Sequence, residues 1–338
     1  MKLNSNDITN QKLVAWHGRV YQDKQKTHFF YTGSGFSLRL KGSKLSATFD
    51  VDYISESEKP YIKVIVKDSI KEKEFIYGLD KGIHTIVLFE GALNDYDVEI
   101  KKRSESMKSR TALIDFESDG NFKELNQKQI KYSIEWIGDS LTCGYGNLGA
   151  TPDTPFGTKD EDGFNAFPIL ASNRLDAEYQ LVCVSGIGMY KSLYVDVPMP
   201  NIYEKYDIYD PKQYPFDKTH DLIVVNLGSN DNTYLTTVSR EMLEEEKEAF
   251  KEAYIKFIKR VQTLNPKSKI LCISQGKRQT YVDELIEQAY RELDKNIFSH
   301  LRLSDRRIGD GNGSQYHPKV ITHQRWAIEI ADKINEII

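Results

Sequence analysis

The sequence predicts an all-β domain followed by an α/β domain. Over residues 13–117, apolar residues recur with a period near two and no helical stretch intervenes. After Tyr132 the pattern changes: short apolar runs alternate with longer segments of helical spacing, as expected for a parallel sheet covered by helices. Residues 118–131 between the two are polar and hold no long apolar run, which places the boundary there. The units are 1–125, a β-sandwich of jelly-roll type, and 126–338, an α/β domain with a parallel sheet.

In the first unit, strands are expected at 14–21, 28–31, 36–40, 45–49, 61–66, 74–77, 84–89, 96–100 and 112–116. Thr32-Gly33-Ser34-Gly35 separates two of them, and Lys41-Gly42-Ser43-Lys44 has the composition of a hairpin turn. In the second unit, strands are expected at 133–137, 179–184, 222–227, 270–273 and 297–303. Their nearly continuous apolar character suits strands buried on both faces. Helices are expected near 164–175, 239–264, 281–293 and 322–338. The second of these keeps Leu243, Phe250, Tyr254, Phe257, Ile258 and Val261 mostly at helical spacing and stops at Asn265-Pro266.

In such a sheet a ligand sits beyond the carboxyl ends of the strands, so the residues just past each strand matter most. The first strand ends at Gly138-Asp139-Ser140, which places Ser140 where a helix begins. A serine there either caps the helix or serves as a nucleophile, its own N–H aimed at the charge its attack creates. The second strand ends at Ser185-Gly186-Ile187-Gly188, the third at Gly228-Ser229-Asn230-Asp231. After the last comes Asp310-Gly311-Asn312-Gly313-Ser314-Gln315-Tyr316-His317-Pro318. Together these supply a hydroxyl, a glycine N–H, a carboxamide and an imidazole, the minimum set for acyl transfer.

Gly138-Asp139-Ser140-Leu141, Gly186, Asn230 in Gly228-Ser229-Asn230-Asp231, and His317 in His317-Pro318 resemble the four sequence blocks of the GDSL, or SGNH, hydrolases, in that family's order. The longer run Ile137 to Asn147, with Ser185-Gly186-Ile187-Gly188 and the glycine-rich approach to Tyr316-His317-Pro318, resembles carbohydrate esterase family two. The resemblance implies an SGNH (flavodoxin-like) three-layer α/β/α hydrolase domain behind an N-terminal jelly roll. It implies removal of O-acetyl groups from xylan, mannan or glucomannan fragments. In these roles Ser140 is the nucleophile and His317 the general base. Ser140 N–H, Gly186 N–H and the Asn230 amide form the oxyanion hole. No metal or organic cofactor is implied. The sequence departs from the family where an aspartate orients the histidine: Ser314 and Gln315 occupy the candidate positions. A Ser–His dyad is expected, with a backbone carbonyl or Gln315 holding the ring. Asp310 reaches it only if the glycine-rich loop folds back.

Tyr145, Tyr190 and Tyr316 are candidates for stacking on a sugar ring, with loop packing as the alternative. Asp139 is expected to be a structural hydrogen-bonder, Asp231 to hold the Asn230 loop, and His323 to be a surface or packing residue. The net charge of −4 argues against a broad electrostatic grip on nucleic acid or anionic membrane, and no apolar run approaches membrane-spanning length. Cys143, Cys183 and Cys272 lie in or beside apolar runs and have neither disulfide nor metal spacing. Together with an N-terminus lacking a signal-like apolar core, this gives a cytoplasmic expectation. The alternatives are a short-chain ester or thioester hydrolase of other specificity, and a carbohydrate-binding protein whose esterase site has decayed.

Overall fold

The computed structural model describes residues 1–5, 12–105, 109–126, 130–275 and 281–338. Its first ten strands are β1 (Lys2–Asn4), β2 (Val14–His17), β3 (Val20–Gln22), β4 (Thr27–Phe29), β5 (Gly35–Tyr53), β6 (Tyr61–Lys67), β7 (Glu72–Gly78), β8 (Gly82–Lys102), β9 (Ser109–Ser118) and β10 (Asn121–Lys123). They pair antiparallel in the order β3-β4-β9-β5-β8-β6-β7, with β1 added to β9 and β2 and β10 to β5. One apolar core, including Phe36, Phe49, Ile62, Val64, Val98, Ile100 and Phe116, underlies them.

Three expectations need correction here. The strand expected at 14–21 is broken at Gly18, whose φ of +72° turns the chain between β2 and β3. The hairpin expected at 41–44 does not exist; β5 runs straight through it for 19 residues. Likewise 84–89 and 96–100 belong to one strand, β8, of 21 residues. The reason is a bulge. Register against β8 jumps between Gly42 and Lys44, and the inward set changes from Phe36, Leu38 and Leu40 to Leu45, Ala47, Phe49 and Val51. β8 carries the extra residues there, with Gly91, Ala92 and Leu93 opposite the single Ser43. The Ser43 N–H and that of Lys44 are accepted by Asp119 Oδ1 at 2.9 and 3.0 Å. Turn-like composition at 41–44 thus encodes a bulge, with the polar groups of a turn but no reversal.

The second sheet is formed by β11 (Tyr132–Gly138), β12 (Ala177–Cys183), β13 (Leu222–Asn226), β14 (Lys269–Ser274) and β15 (Phe298–Arg302), all parallel, in the order β12-β11-β13-β14-β15. Among the described residues, six α-helices accompany it: α1 (Ser140–Cys143), α2 (Phe167–Arg174), α3 (Ser229–Leu235), α4 (Arg240–Leu264), α5 (Val282–Arg291) and α6 (Val320–Ile337). Alternate strand residues face opposite layers. Trp136, Leu181, Val224 and Leu271 pack with Phe167 of α2 and Trp326 and Ile330 of α6. Ile137, Val182, Val225 and Ile270 pack with Phe250 and Tyr254 of α4 and Ile286 of α5. This is the three-layer arrangement expected. The strand order reverses between β11 and β13, so the crevice for a ligand opens at their carboxyl ends.

A buried ion pair joins the two units. Arg19, just after the Gly18 turn, donates to Glu135 of β11 at 3.0 Å, and the side chains are 0% and 1% exposed. Gln180 Nε2 and Tyr203 OH also donate to Glu135, at 2.7 and 2.6 Å. The guanidinium lies 4.1 Å from the Tyr214 ring centre and 4.9 Å from that of Tyr203. Burial alone would push the Glu135 carboxyl up. The Arg19 and His220 charges and the two side-chain donors outweigh it and hold the pKa below the ordinary value. Arg19→Met leaves Glu135 a buried, unpaired anion. The first urea unfolding transition is expected to lose about 3–5 kcal/mol, and the double variant Arg19→Met/Glu135→Met to regain most of it. A single variant within about 1 kcal/mol of wild type would show that the pair does not tie the units.

Candidate active site

The site begins where β11 stops. A Cβ on Gly138 would stand 1.9 Å from Thr142 Oγ1, so only glycine lets the chain turn tightly into α1. Asp139 caps that helix: its Oδ1 accepts Leu141 N–H at 3.0 Å, and Ser229 Oγ donates to its other oxygen. Asp139 is therefore a structural hydrogen-bonder, as its position suggested. Gly144, at φ +85°, ends the helix after one turn. Ser140 is its first residue and 7% exposed.

His317 arrives from the loop before α6. Its Nε2 lies 2.9 Å from Ser140 Oγ, across 177 residues of sequence. Its Nδ1 lies 3.2 Å from the backbone carbonyl of Gln315. A carbonyl only accepts, so Nδ1 carries the proton and Nε2 presents its lone pair to Ser140; the tautomer follows from this bonding. Aiming that carbonyl requires an uncommon backbone. Gln315 and Tyr316 sit at φ +51° and +63°, successive non-glycine residues in the left-handed region. Each costs about 1–3 kcal/mol and persists only where the surroundings over-determine it.

The surroundings here do so. Ser314 N–H donates to Gly146 O at 3.0 Å, Gln315 N–H to Pro152 O at 2.9 Å, and Gly313 N–H to His317 O at 2.8 Å. Tyr145 OH donates to the Gln315 side chain at 2.9 Å. A Cβ on Gly149 would meet Ser314 N at 2.3 Å, and one on Gly313 would meet Gly146 O at 2.0 Å. The glycines on both sides of this contact therefore let two loops touch backbone to backbone. Asp310 plays no part in holding the ring: its carboxylate binds Arg325 and Thr322 instead. Burial, and next the charge of Arg306, bring the His317 pKa from 6.5 down to about 4.

Three donors converge on the same edge. Among the described residues, neither Ser140 N–H nor Gly186 N–H donates to a protein acceptor. Gly186 has φ +79°, and a Cβ there would stand 2.8 Å from Tyr194 Cβ. Asn230, buried at the start of α3, donates one amide hydrogen to Ile187 O at 2.8 Å, which orients the amide and leaves its second hydrogen. Asp231 accepts the N–H groups of Met189, Tyr190 and Lys191 at 2.7–2.8 Å. It thereby ties the loop after Gly186 to the helix that carries Asn230. Burial pushes the Asp231 pKa up to about 6, against those three donors.

The aromatic candidates separate. Tyr145 is half-buried, stacks on Phe156 with ring centres 3.6 Å apart, and lies 4.5 Å from the His317 ring. Tyr190 packs partly buried against the α4/α5 core layer. Tyr316, beside the histidine, is 61% exposed. Tyr194, which nothing in the sequence distinguished, is 66% exposed and adjoins Gly186. His323 is not at the surface: it is 1% exposed, stacks on Phe167, and accepts the Phe167 N–H at 3.3 Å. The three cysteines are free and buried.

The model of the GDSL-like lipase/acylhydrolase family matches residues 136–320, more than half of the chain. The chain belongs to that family. It is similar to the cellulase/esterase CelE of Acetivibrio thermocellus, 24% identical over 95% of this chain but only 39% of that protein. It is also similar to an acetylxylan esterase/glucomannan deacetylase of Cellvibrio japonicus, 25% identical over 86% of this chain and 81% of the relative. In fold it is similar to a family two carbohydrate esterase from Clostridium thermocellum solved with cellohexaose, with a TM-score of 0.81, 24% identity and coverage of 96% and 98%. In this GDSL family member, the large antiparallel domain and the five-stranded parallel domain have the arrangement of that two-domain structure.

The low pKa of His317 is open to direct measurement. Its Cε1 resonance is expected to titrate with a midpoint of about 4, and Arg306→Ala to move the midpoint upward by removing a like charge. The base form is the neutral one, so it is kept as pH falls toward about 5 and lost below the midpoint. A midpoint at 6.5, unmoved by Arg306→Ala, contradicts the reading.

Proposed function

We propose that this protein is a serine esterase that removes O-acetyl groups from acetylated oligo- or polysaccharides. The observation that carries it is the 2.9 Å contact between Ser140 Oγ and the unprotonated Nε2 of His317. Around that contact stand two N–H groups without protein acceptors among the described residues and an amide hydrogen from Asn230. Ser140 Oγ attacks the acetyl carbonyl while its proton passes to His317 Nε2. The carbonyl oxygen, now an anion, is held by the N–H groups of Ser140 and Gly186 and by Asn230 Nδ2. The bond to the sugar oxygen then breaks, and His317 gives that oxygen its proton. Water repeats the attack on acetyl-Ser140 and releases acetate.

The absent aspartate changes this scheme less than it suggests. An orienting group must select the tautomer and fix the ring, and the Gln315 carbonyl does both. It supplies no negative charge, so the imidazolium is stabilised less, and Arg306 disfavours it further. A weaker base is also a stronger acid toward the departing sugar oxygen. That the ester belongs to a sugar is supported by the relatives, which are named for acetylxylan, glucomannan and a bound cello-oligosaccharide. Tyr316 and Tyr194 offer the exposed rings beside the site on which a pyranose face stacks.

Acetate release from acetylated xylan and mannan oligosaccharides, followed by NMR, tests the reading. Ser140→Ala is expected to lower kcat by about 10⁴-fold or more and Asn230→Ala by about 10²–10³-fold. Activity that rises with acyl chain length, or turnover untouched by Ser140→Ala, sinks it.

A further inference from the structure

Among the described residues, Glu105 of the antiparallel domain touches two of the segments that build the site. Glu105 follows the end of β8 and is 4% exposed. Its Oε2 accepts the N–H of Ser185 at 2.7 Å and faces Cys143 Sγ at 3.5 Å. Ser185 immediately precedes Gly186, and Cys143 is the last residue of the helix that begins at Ser140. One carboxylate oxygen thus touches the backbone of the second strand end and the side chain of the nucleophile's helix. Glu105 is itself fixed: its N–H donates to Glu161 Oε1 at 2.7 Å, and Arg103 donates to the Glu161 carbonyl at 2.9 Å. The next residue, Asp162, exchanges two hydrogen bonds with Asn147, at 2.8 and 3.0 Å, in the loop that carries Tyr145.

We propose that Glu105 is the positioning residue of the oxyanion hole. By holding Ser185 N–H, it fixes the Val184–Ser185 peptide, from which the adjoining peptide carries Gly186 N–H toward the developing charge. This rests on the reading of Gly186 N–H as an oxyanion donor. Burial raises both carboxyl pKa values, the charge of Glu105 raises that of Glu161 further, and the bonds from Ser185 and Cys143 pull that of Glu105 the other way. A buried carboxyl oxygen that accepts a backbone N–H at 2.7 Å, out of reach of water, is a stiff anchor. The antiparallel domain then acts in the reaction through a backbone contact and needs no contact with substrate.

The test uses the full chain and a fluorophosphonate. When Ser140 Oγ bonds to phosphorus and fluoride leaves, the phosphoryl oxygen takes the oxyanion's seat, so no sugar is needed. Glu105→Leu is expected to slow phosphonylation by about 10- to 100-fold while the final fraction of labelled Ser140 stays that of wild type. Glu105→Gln keeps an oxygen that accepts from Ser185 and is expected to stay within about threefold. Loss of labelled fraction with an unchanged rate, or equal slowing by Leu and Gln, overturns the proposal. Amide hydrogen exchange on the wild-type protein decides independently of any variant's folding. Ser185 N–H is expected to exchange at least about tenfold more slowly than Gly186 N–H, and equal exchange overturns the proposal. A wild-type protein that reacts with the phosphonate but releases no acetate from sugars refutes the substrate reading alone.

Discussion

Strand β11 carries an acid in the middle of the molecule, and Arg19 answers it from the other domain. Two opposite charges without solvent exposure repay their desolvation only with good geometry and with their remaining bonds filled. Glu135 meets that condition through Gln180 and Tyr203. The consequence is positional, since any other docking of the two units leaves a buried charge unpaired. β11 runs through Gly138 and Asp139 into Ser140, so the pair that joins the units also fixes the strand that presents Ser140. The same docking brings Glu105 against Ser185 and Arg103 against the loop at 159–161.

The histidine shows a second economy. Where the family pattern has an aspartate, this chain uses a main-chain carbonyl, and it accepts two left-handed residues to aim it. That strain is held by hydrogen bonds between the loop after Ser140 and the loop before His317. Ser140 and His317 are thereby braced by one another's flanking glycines. Tyr145 belongs to this brace: its hydroxyl holds Gln315 and its ring packs, tilted, against the imidazole.

Much of this was legible in the residues. Period-two and helical patterning separated the two domains, because a half-buried antiparallel strand alternates and a doubly buried parallel strand does not. All five parallel strands and the four helices expected were found, with ends shifted by a few residues. Gly138, Ser140, Gly186, Asn230 and His317 stood out because each lies at the end of a strand or past it, and parallel strands deliver their ends to one edge. The turn at 41–44 was misread because a bulge and a hairpin draw on the same glycine, serine and lysine composition. Whether the chain reverses depends on the partner strand, and β8 continues past that point. For His323 the sequence left surface and packing open, and α2 decides for packing by covering it.

By itself, then, the sequence determined the two fold classes, the order of the blocks and the residue types that meet at the sheet edge. These depend on local periodicity and on the rule that ligands gather at parallel strand ends. Only the tertiary structure decided what holds those residues still. The Gln315 carbonyl on His317 decides an expectation left open between a backbone carbonyl and the Gln315 side chain, while Asp231 on the 189–191 backbone, Glu105 on Ser185 and Arg19 on Glu135 join segments far apart in sequence. The first also needs a pair of φ values that glutamine and tyrosine rarely adopt. Composition and spacing carry no trace of such contacts, because they depend on how one backbone lies against another and on the direction in which each carbonyl points.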